Sequence, residues 1–162
     1  MSPTTVFPST PDATAPDTWH FRHQVRIYWE DTDAGGIVFY GNYLKYMERA
    51  RTEWLGALGF SQERLRSVGE GMFVVGETHL RYLKPARLDD VLTVTVRLVE
   101  LGRATMAFLQ EVWRGDTLLT QGRVRIGWVA PFEDHFKPAR IPAQILAIVP
   151  SPNQQAAGVN RP

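Results

Sequence analysis

The sequence predicts an α+β fold in which one long helix packs against a curved antiparallel sheet. Between Asn42 and Leu58, apolar residues recur at the three- and four-residue spacing of an amphipathic helix. After residue 71, four stretches separated by short breaks have strand character, and the second of them alternates cleanly between β-branched and polar residues. A helix and a sheet of this kind bury the apolar face of the helix when the sheet curves around it.

The 162-residue chain is long enough for one domain with a core and too short for two ordinary ones. Its net charge is +1 and its basic residues are scattered, so we expect no nucleic-acid surface. It has no cysteine, which excludes disulfides and thiolate chemistry. No apolar stretch reaches the ~20 residues of a membrane-spanning helix, and no secretory signal pattern opens the chain. We therefore predict a cytoplasmic protein without an integral membrane segment.

The two ends of the chain differ in composition from the middle. Residues 1–17 contain four prolines and few apolar residues, and residues 150–162 have a similar composition. Such segments cannot bury enough apolar surface to offset the entropy of ordering them. We therefore predict a disordered N-terminal arm over 1–17, a folded domain over 18–149 and a flexible tail over 150–162.

The first half of the domain is predicted to contain a strand, a loop and the long helix. Residues 21–29 alternate loosely and predict the first strand, and residues 30–41 form a loop. Asn42 is a favourable N-cap for the helix of about 15 residues that follows, and Gly59 is a natural stop. A concave sheet is expected to bury the apolar side chains of this helix, which include Leu44, Met47, Ala50 and Leu58.

The second half is predicted to contain a short helix and the remaining strands. Ser61 is expected to cap a helix that ends at Ser67. Gly115 and Asp116 are typical of a hairpin turn between the last two strands. The four predicted strands are 72–83, 91–101, 104–114 and 118–129.

The loop and the helix start after it, residues 28–43, carry the strongest functional signal. They contain three carboxylates and a glycine pair: Glu30, Asp31, Asp33, Gly35 and Gly36. Glycine lets the backbone approach a ligand closely, so we predict that Gly36 contacts a substrate. The free N–H groups at the start of the next helix favour negative charge. The residues alone leave open which carboxylate acts.

The residues of this loop also resemble three other kinds of acidic loop. It begins like a calcium-binding EF-hand loop, but its fifth position is Gly35, its twelfth is Asn42 and no helix precedes it, so we reject calcium. Paired aspartates of phosphoryl-transfer enzymes follow a hydrophobic parallel strand, which residues 28–30 do not form. The remaining alternative is a solvated acidic turn whose carboxylates accept hydrogen bonds from backbone N–H groups.

Outside the loop, the polar residues give weaker signals. His20 and His23 are three apart in an extended segment, so they face opposite sides, and no Cys/His/Asp arrangement has metal-ligand spacing. We therefore predict no metal and no cofactor. Arg103 follows Gly102 in a turn between two strands, where a loop arginine can bind a phosphate.

Four runs of sequence stand out together: residues 26–43, 46–51, 82–92 and 137–142. In this order they closely resemble the hotdog-fold acyl-CoA thioesterases. The resemblance covers residues 21–148 and is strongest to the Tol-Pal-associated (YbgC-like) branch, with the 4-hydroxybenzoyl-CoA thioesterases beside it. It implies a five-stranded antiparallel sheet around a central helix, sheets paired edge to edge in a dimer, frequent tetramers, and metal-free thioester hydrolysis at a site between protomers.

The resemblance also implies roles for individual residues. Asp33 would be the catalytic carboxylate, acting as nucleophile or as general base. The N–H groups of Tyr40 and Gly41 would polarise the thioester oxygen. The family has histidine at the position of Tyr40 in much of the Tol-Pal branch and tyrosine in the hydroxybenzoyl branch. Arg103 would lie near the CoA phosphates, and Glu48 would face the acyl end of the substrate.

The sequence therefore predicts an acyl-CoA thioesterase that acts as a homo-oligomer, with acyl-CoA as substrate. The alternative is a non-catalytic hotdog module that binds acyl groups or a partner such as acyl carrier protein, which would not need the carboxylate of Asp33. A hotdog dehydratase ranks last, because it needs a histidine, and neither the loop nor the long helix contains one.

Overall fold

The computed structural model describes residues 21–67 and 71–152. Within these residues an antiparallel sheet of six strands packs against one long helix, and two short helices complete the fold. The helices are α1 (Asn42–Ala57), α2 (Gln62–Ser67) and α3 (Ala143–Leu146). The strands are β1 (Phe21–Arg26), β2 (Met72–Tyr82), β3 (Val91–Leu101), β4 (Thr105–Arg114), β5 (Thr117–Phe132) and β6 (His135–Pro138).

The strands lie in the sheet in the order β1-β3-β4-β5-β2, and β6 pairs with the end of β5. Consecutive hairpins join β3, β4 and β5, whereas β2 pairs with β5 instead of its sequence neighbour β3. Strands β1 and β2 therefore form the two edges of the sheet. Along the chain, β1 precedes the helices α1 and α2, and β2 follows them.

The structure agrees with most of the predicted strands and corrects three details. The α+β class is confirmed, and β3 has the predicted bounds. The predicted first strand continued to residue 29, but β1 ends at Arg26, because a 3-10 turn forms over Trp29–Asp31. The implied sheet had five strands, but β5 extends to Phe132 and turns back into β6. His135, which lies beyond the last predicted strand, opens that sixth strand.

The buried face of α1 is rotated relative to the prediction. Met47 and Ala50 are fully buried as expected, whereas Leu44 is 44% exposed. The polar side chain of Asn42 turns inward and donates a hydrogen bond to Asp31 O at 2.9 Å. Asn42 is the first residue of α1, and the N-cap is Gly41 instead of Asn42 as predicted. Because Asn42 and the ring of Tyr43 occupy the inner face, Leu44 points outward.

A buried glutamine joins α1 to the sheet. Gln110 of β4 is fully buried, and its Nε2 donates to Met47 O at 3.0 Å and to Thr95 O at 3.3 Å. Its Oε1 accepts a hydrogen bond from Arg51 Nη1 at 2.8 Å. Burial lowers the pKa of Arg51 to about 10. Gln110 thus satisfies a partly buried charge and two backbone carbonyls at once.

Replacing Gln110 with alanine is expected to destabilise the fold by about 2–4 kcal/mol, because it removes three hydrogen bonds and leaves Arg51 without its acceptor. Chemical denaturation of the two proteins measures this difference. Gln24→Ala on the exposed side of β1 is the matched control, with an expected change of at most ~0.5 kcal/mol. Equal losses for both variants would contradict the role given to Gln110.

The ends of the chain are only partly described. The predicted arm over 1–17 and residues 153–162 of the predicted tail lie outside the described residues. Ile145 and Val149 are buried in the core, so the folded part reaches at least to α3 and the residues after it. The domain limits at 18 and 149 stay predictions. No helix among the described residues is long and apolar enough to cross a membrane.

Candidate active site

The acidic loop, residues 28–41, folds into a tight hairpin at the start of α1. Asp33 N donates to Ile37 O at 2.8 Å, and Gly36 N donates to Asp33 O at 3.0 Å. Thr32 and Val38 form a β-bridge that closes this small turn. Gly36 has a φ of +77°, a conformation that side-chain-bearing residues rarely adopt. The glycine is thus required by the turn that presents Asp33.

Asp31 holds the loop together through hydrogen bonds to its side chain and its backbone oxygen. Its Oδ2 accepts a hydrogen bond from Tyr28 N at 2.8 Å, and its backbone oxygen accepts from Phe39 N at 3.0 Å. The same oxygen accepts the bond from Asn42, which ties the loop to the first turn of α1. The buried hydroxyl of Tyr46 makes no hydrogen bond within the described residues. Burial, and next the Asp31 carboxylate, raise the pKa of this tyrosine.

The Asp33 carboxylate is held at one end and free at the other. Its Oδ1 accepts a hydrogen bond from Gly35 N at 2.8 Å, and the residue is exposed. Among residues 21–67 and 71–152, its Oδ2 has no hydrogen-bond partner. An anchored carboxylate with a free oxygen can attack an electrophile or accept a proton from water.

Two backbone N–H groups stand between this carboxylate and α1. In the described parts of the chain, the N–H groups of Tyr40 and Gly41 donate to no protein acceptor. The carbonyl oxygen of Tyr40 accepts a hydrogen bond from the hydroxyl of Tyr82 at 2.8 Å. Tyr40 itself is 67% exposed. Free N–H groups at a helix start can hold a negatively charged oxygen.

Glu48 lies on the next turns of α1, at the mouth of a cavity. The cavity has a volume of about 210 Å³ and lies between α1, α2, the first residues of β2, and strands β4 and β5. Its lining is mainly apolar and includes Leu55, Phe73 and Trp128. Glu48 Oε1 accepts a hydrogen bond from Thr52 Oγ1 at 3.1 Å. A small apolar cavity with a few polar groups at its rim suits one end of an organic ligand.

Arg103 lies in the turn between β3 and β4, beside a second arginine. An open cleft of about 630 Å³ is lined by Arg103, Arg140 and α3. The two segments are tied together because Ile141 N donates to Arg103 O at 2.8 Å. Neither arginine forms an ion pair with a described residue. Two such guanidinium groups suit a phosphate-bearing ligand.

A single chain does not bring all of these residues together. The acidic loop contacts the end of β2 through Tyr82, whereas the cavity lies at the start of β2. Glu48, seven residues after Gly41, lies roughly 10 Å along α1 from the loop, and the cavity that it borders extends from there to the start of β2. Arg103 likewise follows the end of β3, while the loop follows β1, whose Arg26 pairs with the first residue of β3. Asp33, Gly36, Tyr40 and Gly41 share the acidic loop. Glu48 lies two helical turns after it, and Arg103 lies apart, beyond the opposite end of β3.

Two residues of this arrangement were not identified from the sequence. Arg140 belongs to the run 137–142, which carried the resemblance but no role, and only the tertiary fold places it beside Arg103. Tyr82 ends a strand, and its contact with Tyr40 spans 42 positions of the chain. No local sequence pattern predicts a contact over this separation.

One group of potential metal ligands lies outside the loop. In the described residues, ligand atoms of Glu133, Asp134 and His135 lie within 4.8 Å of one another at the turn between β5 and β6. All three residues are exposed, and exposed acidic groups are common without an ion. The sequence singled out no metal ligand at this turn.

Comparisons with known proteins identify the family. Residues 35–121 match the family model described as Thioesterase superfamily. The acyl-CoA thioesterase YbgC of Haemophilus influenzae is 38% identical over 78% of this chain and 92% of the relative. The acyl-CoA thioester hydrolase YbgC of Escherichia coli O6:H1 is 38% identical over 81% of this chain and 96% of the relative. This chain belongs to the thioesterase superfamily.

Solved structures support the fold. A hypothetical protein from Aquifex aeolicus superposes with a TM-score of 0.73 at 32% identity, covering 79% of this chain and 98% of that one. The 4-hydroxybenzoyl-CoA thioesterase of Pseudomonas superposes with a TM-score of 0.70 at 21% identity, covering 79% of this chain and 97% of that one. The expected family and the hotdog fold are therefore confirmed.

Proposed function

We propose that this chain hydrolyses acyl-CoA thioesters to a free acid and CoA. The observation that carries the proposal is the pairing of the Asp33 carboxylate, which has one free oxygen, with the free N–H groups of Tyr40 and Gly41 in one loop. Relatives that carry the name acyl-CoA thioesterase support the choice of substrate class. The reaction needs a group that delivers oxygen to the carbonyl carbon and donors that stabilise the oxyanion.

Asp33 can act in either of two balanced ways. As nucleophile, its Oδ2 adds to the carbonyl carbon, the C–S bond breaks, and water then hydrolyses the mixed anhydride. As general base, it takes a proton from water, whose oxygen adds to the carbonyl before the thiolate leaves. In both mechanisms the departing thiolate takes up a proton. The N–H groups of Tyr40 and Gly41 stabilise the oxyanion that forms on the carbonyl oxygen.

We propose that the complete site forms between two copies of the chain. Strand β2 is an edge strand, and exposed apolar side chains lie at its start: Met72, Val74 and Val75. An open edge of this length is a template for pairing with another strand. If two copies pair antiparallel along β2, the cavity of one copy lies beside the acidic loop of the other. Assembly of such dimers into tetramers and a cytoplasmic location stay predictions from the sequence.

Within that shared site, the remaining residues would bind the substrate. Glu48 at the cavity mouth would face the acyl group, and Arg103 with Arg140 would bind the phosphates of CoA. A Cβ added at Gly36 would meet nothing within 4 Å, so the space beside this residue is open for the ligand. The acidic loop would then meet the thioester between the two ends of the substrate.

Replacing Arg103 with alanine is expected to raise KM for acyl-CoA about tenfold and to change kcat little, because the lost charge-assisted hydrogen bonds bind phosphate in the ground state and transition state alike. Arg140→Ala is expected to act in the same direction. Steady-state kinetics measure both. Arg49→Ala, on the exposed side of α1, is the control of equal charge change. An unchanged KM in both cleft variants would contradict the assigned phosphate site.

The competing function is a non-catalytic module that binds acyl groups or acyl carrier protein. Mass spectrometry of purified protein incubated with an acyl-CoA separates the two functions. We expect free acid and free CoA to accumulate in amounts far above the amount of protein. Intact acyl-CoA that binds the protein and is not consumed would favour the binding module.

A further inference from the structure

We propose that Tyr82 is a positioning residue that orients the N–H of Gly41 toward the oxyanion of the substrate. The proposal rests on the function proposed above, because it concerns the same N–H group. Tyr82 belongs to the edge strand β2 and reaches the acidic loop only through its side chain. Among the described residues, the hydroxyl of Tyr82 hydrogen-bonds neither to Asp33 nor to the free N–H groups, so it would act through the peptide bond between Tyr40 and Gly41.

The geometry of one peptide group carries the inference. The Tyr82 hydroxyl donates a hydrogen bond of 2.8 Å to the carbonyl oxygen of Tyr40. That carbonyl and the N–H of Gly41 belong to the same planar trans peptide, so they point in opposite directions. Holding the carbonyl on one side therefore fixes the direction of the N–H on the other. A hydrogen bond to the carbonyl also polarises the amide and strengthens its N–H as a donor.

This peptide has little else to hold it. Gly41 is the N-cap of α1, and no side-chain hydrogen bond caps that helix. Asn42 N donates to Phe39 O at 2.9 Å and closes the turn around this peptide, and Leu44 N donates to Gly41 O at 3.2 Å. Among the described residues, no backbone N–H donates to the carbonyl of Tyr40. Glycine also allows more backbone conformations than any other residue. The neighbouring backbone bonds close the turn, and the bond from Tyr82 holds the Tyr40 carbonyl itself.

The ring of Tyr82 is itself well placed. Its edge-on contacts have centroid distances of 5.5 Å to Tyr43 and 6.3 Å to Tyr40. Its strand position is fixed by pairing with Thr120 of β5. Burial, followed by the neighbouring tyrosines, raises the pKa of Tyr82, so the hydroxyl stays protonated and remains a donor through neutral pH. The contact thus couples an edge strand of the sheet to the proposed oxyanion donors.

The test is Tyr82→Phe, which keeps the ring and removes the hydroxyl. We expect kcat to fall about tenfold with KM within about twofold, a smaller loss than the roughly 10²–10³-fold of deleting an oxyanion donor. The control is Tyr43→Phe. The Tyr43 hydroxyl accepts a hydrogen bond from the buried N–H of Ala86, so this variant is expected to lose stability and to retain kcat.

A spectroscopic readout separates positioning from a general loss of structure. An acyl-CoA analogue with a methylene in place of sulfur and a ¹³C-labelled carbonyl is bound to each protein, and infrared absorption reports the carbonyl stretch. We expect a smaller shift to low wavenumber in Tyr82→Phe than in wild type and Tyr43→Phe. Equal kcat and equal shifts in wild type and Tyr82→Phe would overturn this inference alone. Absence of turnover in wild type would overturn it together with the proposed function.

Discussion

Replacing Asp33 with asparagine is expected to lower kcat by roughly 10²–10⁴-fold, the range for loss of a positioned general base. The amide has the shape of the carboxylate, and its oxygen can still accept the hydrogen bond from Gly35 N. It is a poor nucleophile and a poor base, so the chemistry is lost while the turn is kept. Steady-state rates of thioester hydrolysis measure the effect, and thermal unfolding shows that the fold persists.

The matched control for this prediction is Glu30→Gln. Glu30 lies in the same exposed loop and undergoes the same change of charge, but it has no role in the proposed chemistry. We expect its kcat to stay within about twofold of wild type, as for a surface substitution away from the site. If Asp33→Asn kept near-normal turnover, or if both variants lost the same activity, the assignment of Asp33 would be wrong.

The second large effect is expected when two variants with different defects, one in kcat and one in KM, are mixed and assayed at low substrate concentration. One variant carries Asp33→Asn, and the other carries Arg103→Ala with Arg140→Ala. If each site combines the loop of one copy with the arginine cleft of the other, a mixed dimer contains one intact site. Random exchange at equal amounts makes half of the dimers mixed, so about a quarter of wild-type activity returns at low substrate concentration.

Sites confined to single chains give a different result. Each chain in the mixture would then lack either the carboxylate or the arginines, and activity would stay at the sum of the two variants. The subunits are unfolded together and refolded to allow exchange, and the same treatment of wild type sets the reference. No recovery of activity after demonstrated exchange would contradict the shared site.

Local patterns in the sequence predicted the elements that depend on local physics. The helical spacing from Asn42 to Leu58 predicted α1, and the alternation from 91 to 101 predicted β3. The loop around Asp33 was identified as the site because its turn residues and the helix start are adjacent in sequence. The family resemblance supplied the choice among its carboxylates, which spacing alone left open.

The predictions that were wrong or missing depend on contacts between distant parts of the chain. Leu44 was expected inside, but the bond of Asn42 to the loop sets the rotation of the helix. The pairing of β2 with β5 is not encoded in either strand's own alternation, so the edge position of β2 was not predicted. The positions of Arg140 and Tyr82 were not predicted either, because Arg103 and Tyr40, which lie beside them, are distant in sequence. Only the tertiary structure brings these residues together.

The most direct test of thioester hydrolysis is the rate at which purified wild-type protein releases CoA thiol from short, long and aromatic acyl-CoAs. The chain contains no cysteine, so a thiol-reactive dye reports CoA alone. We expect steady, multiple-turnover release from at least one class of acyl-CoA, and loss of that release in Asp33→Asn. No thiol release from any member of the panel by folded wild-type protein would contradict the proposed function.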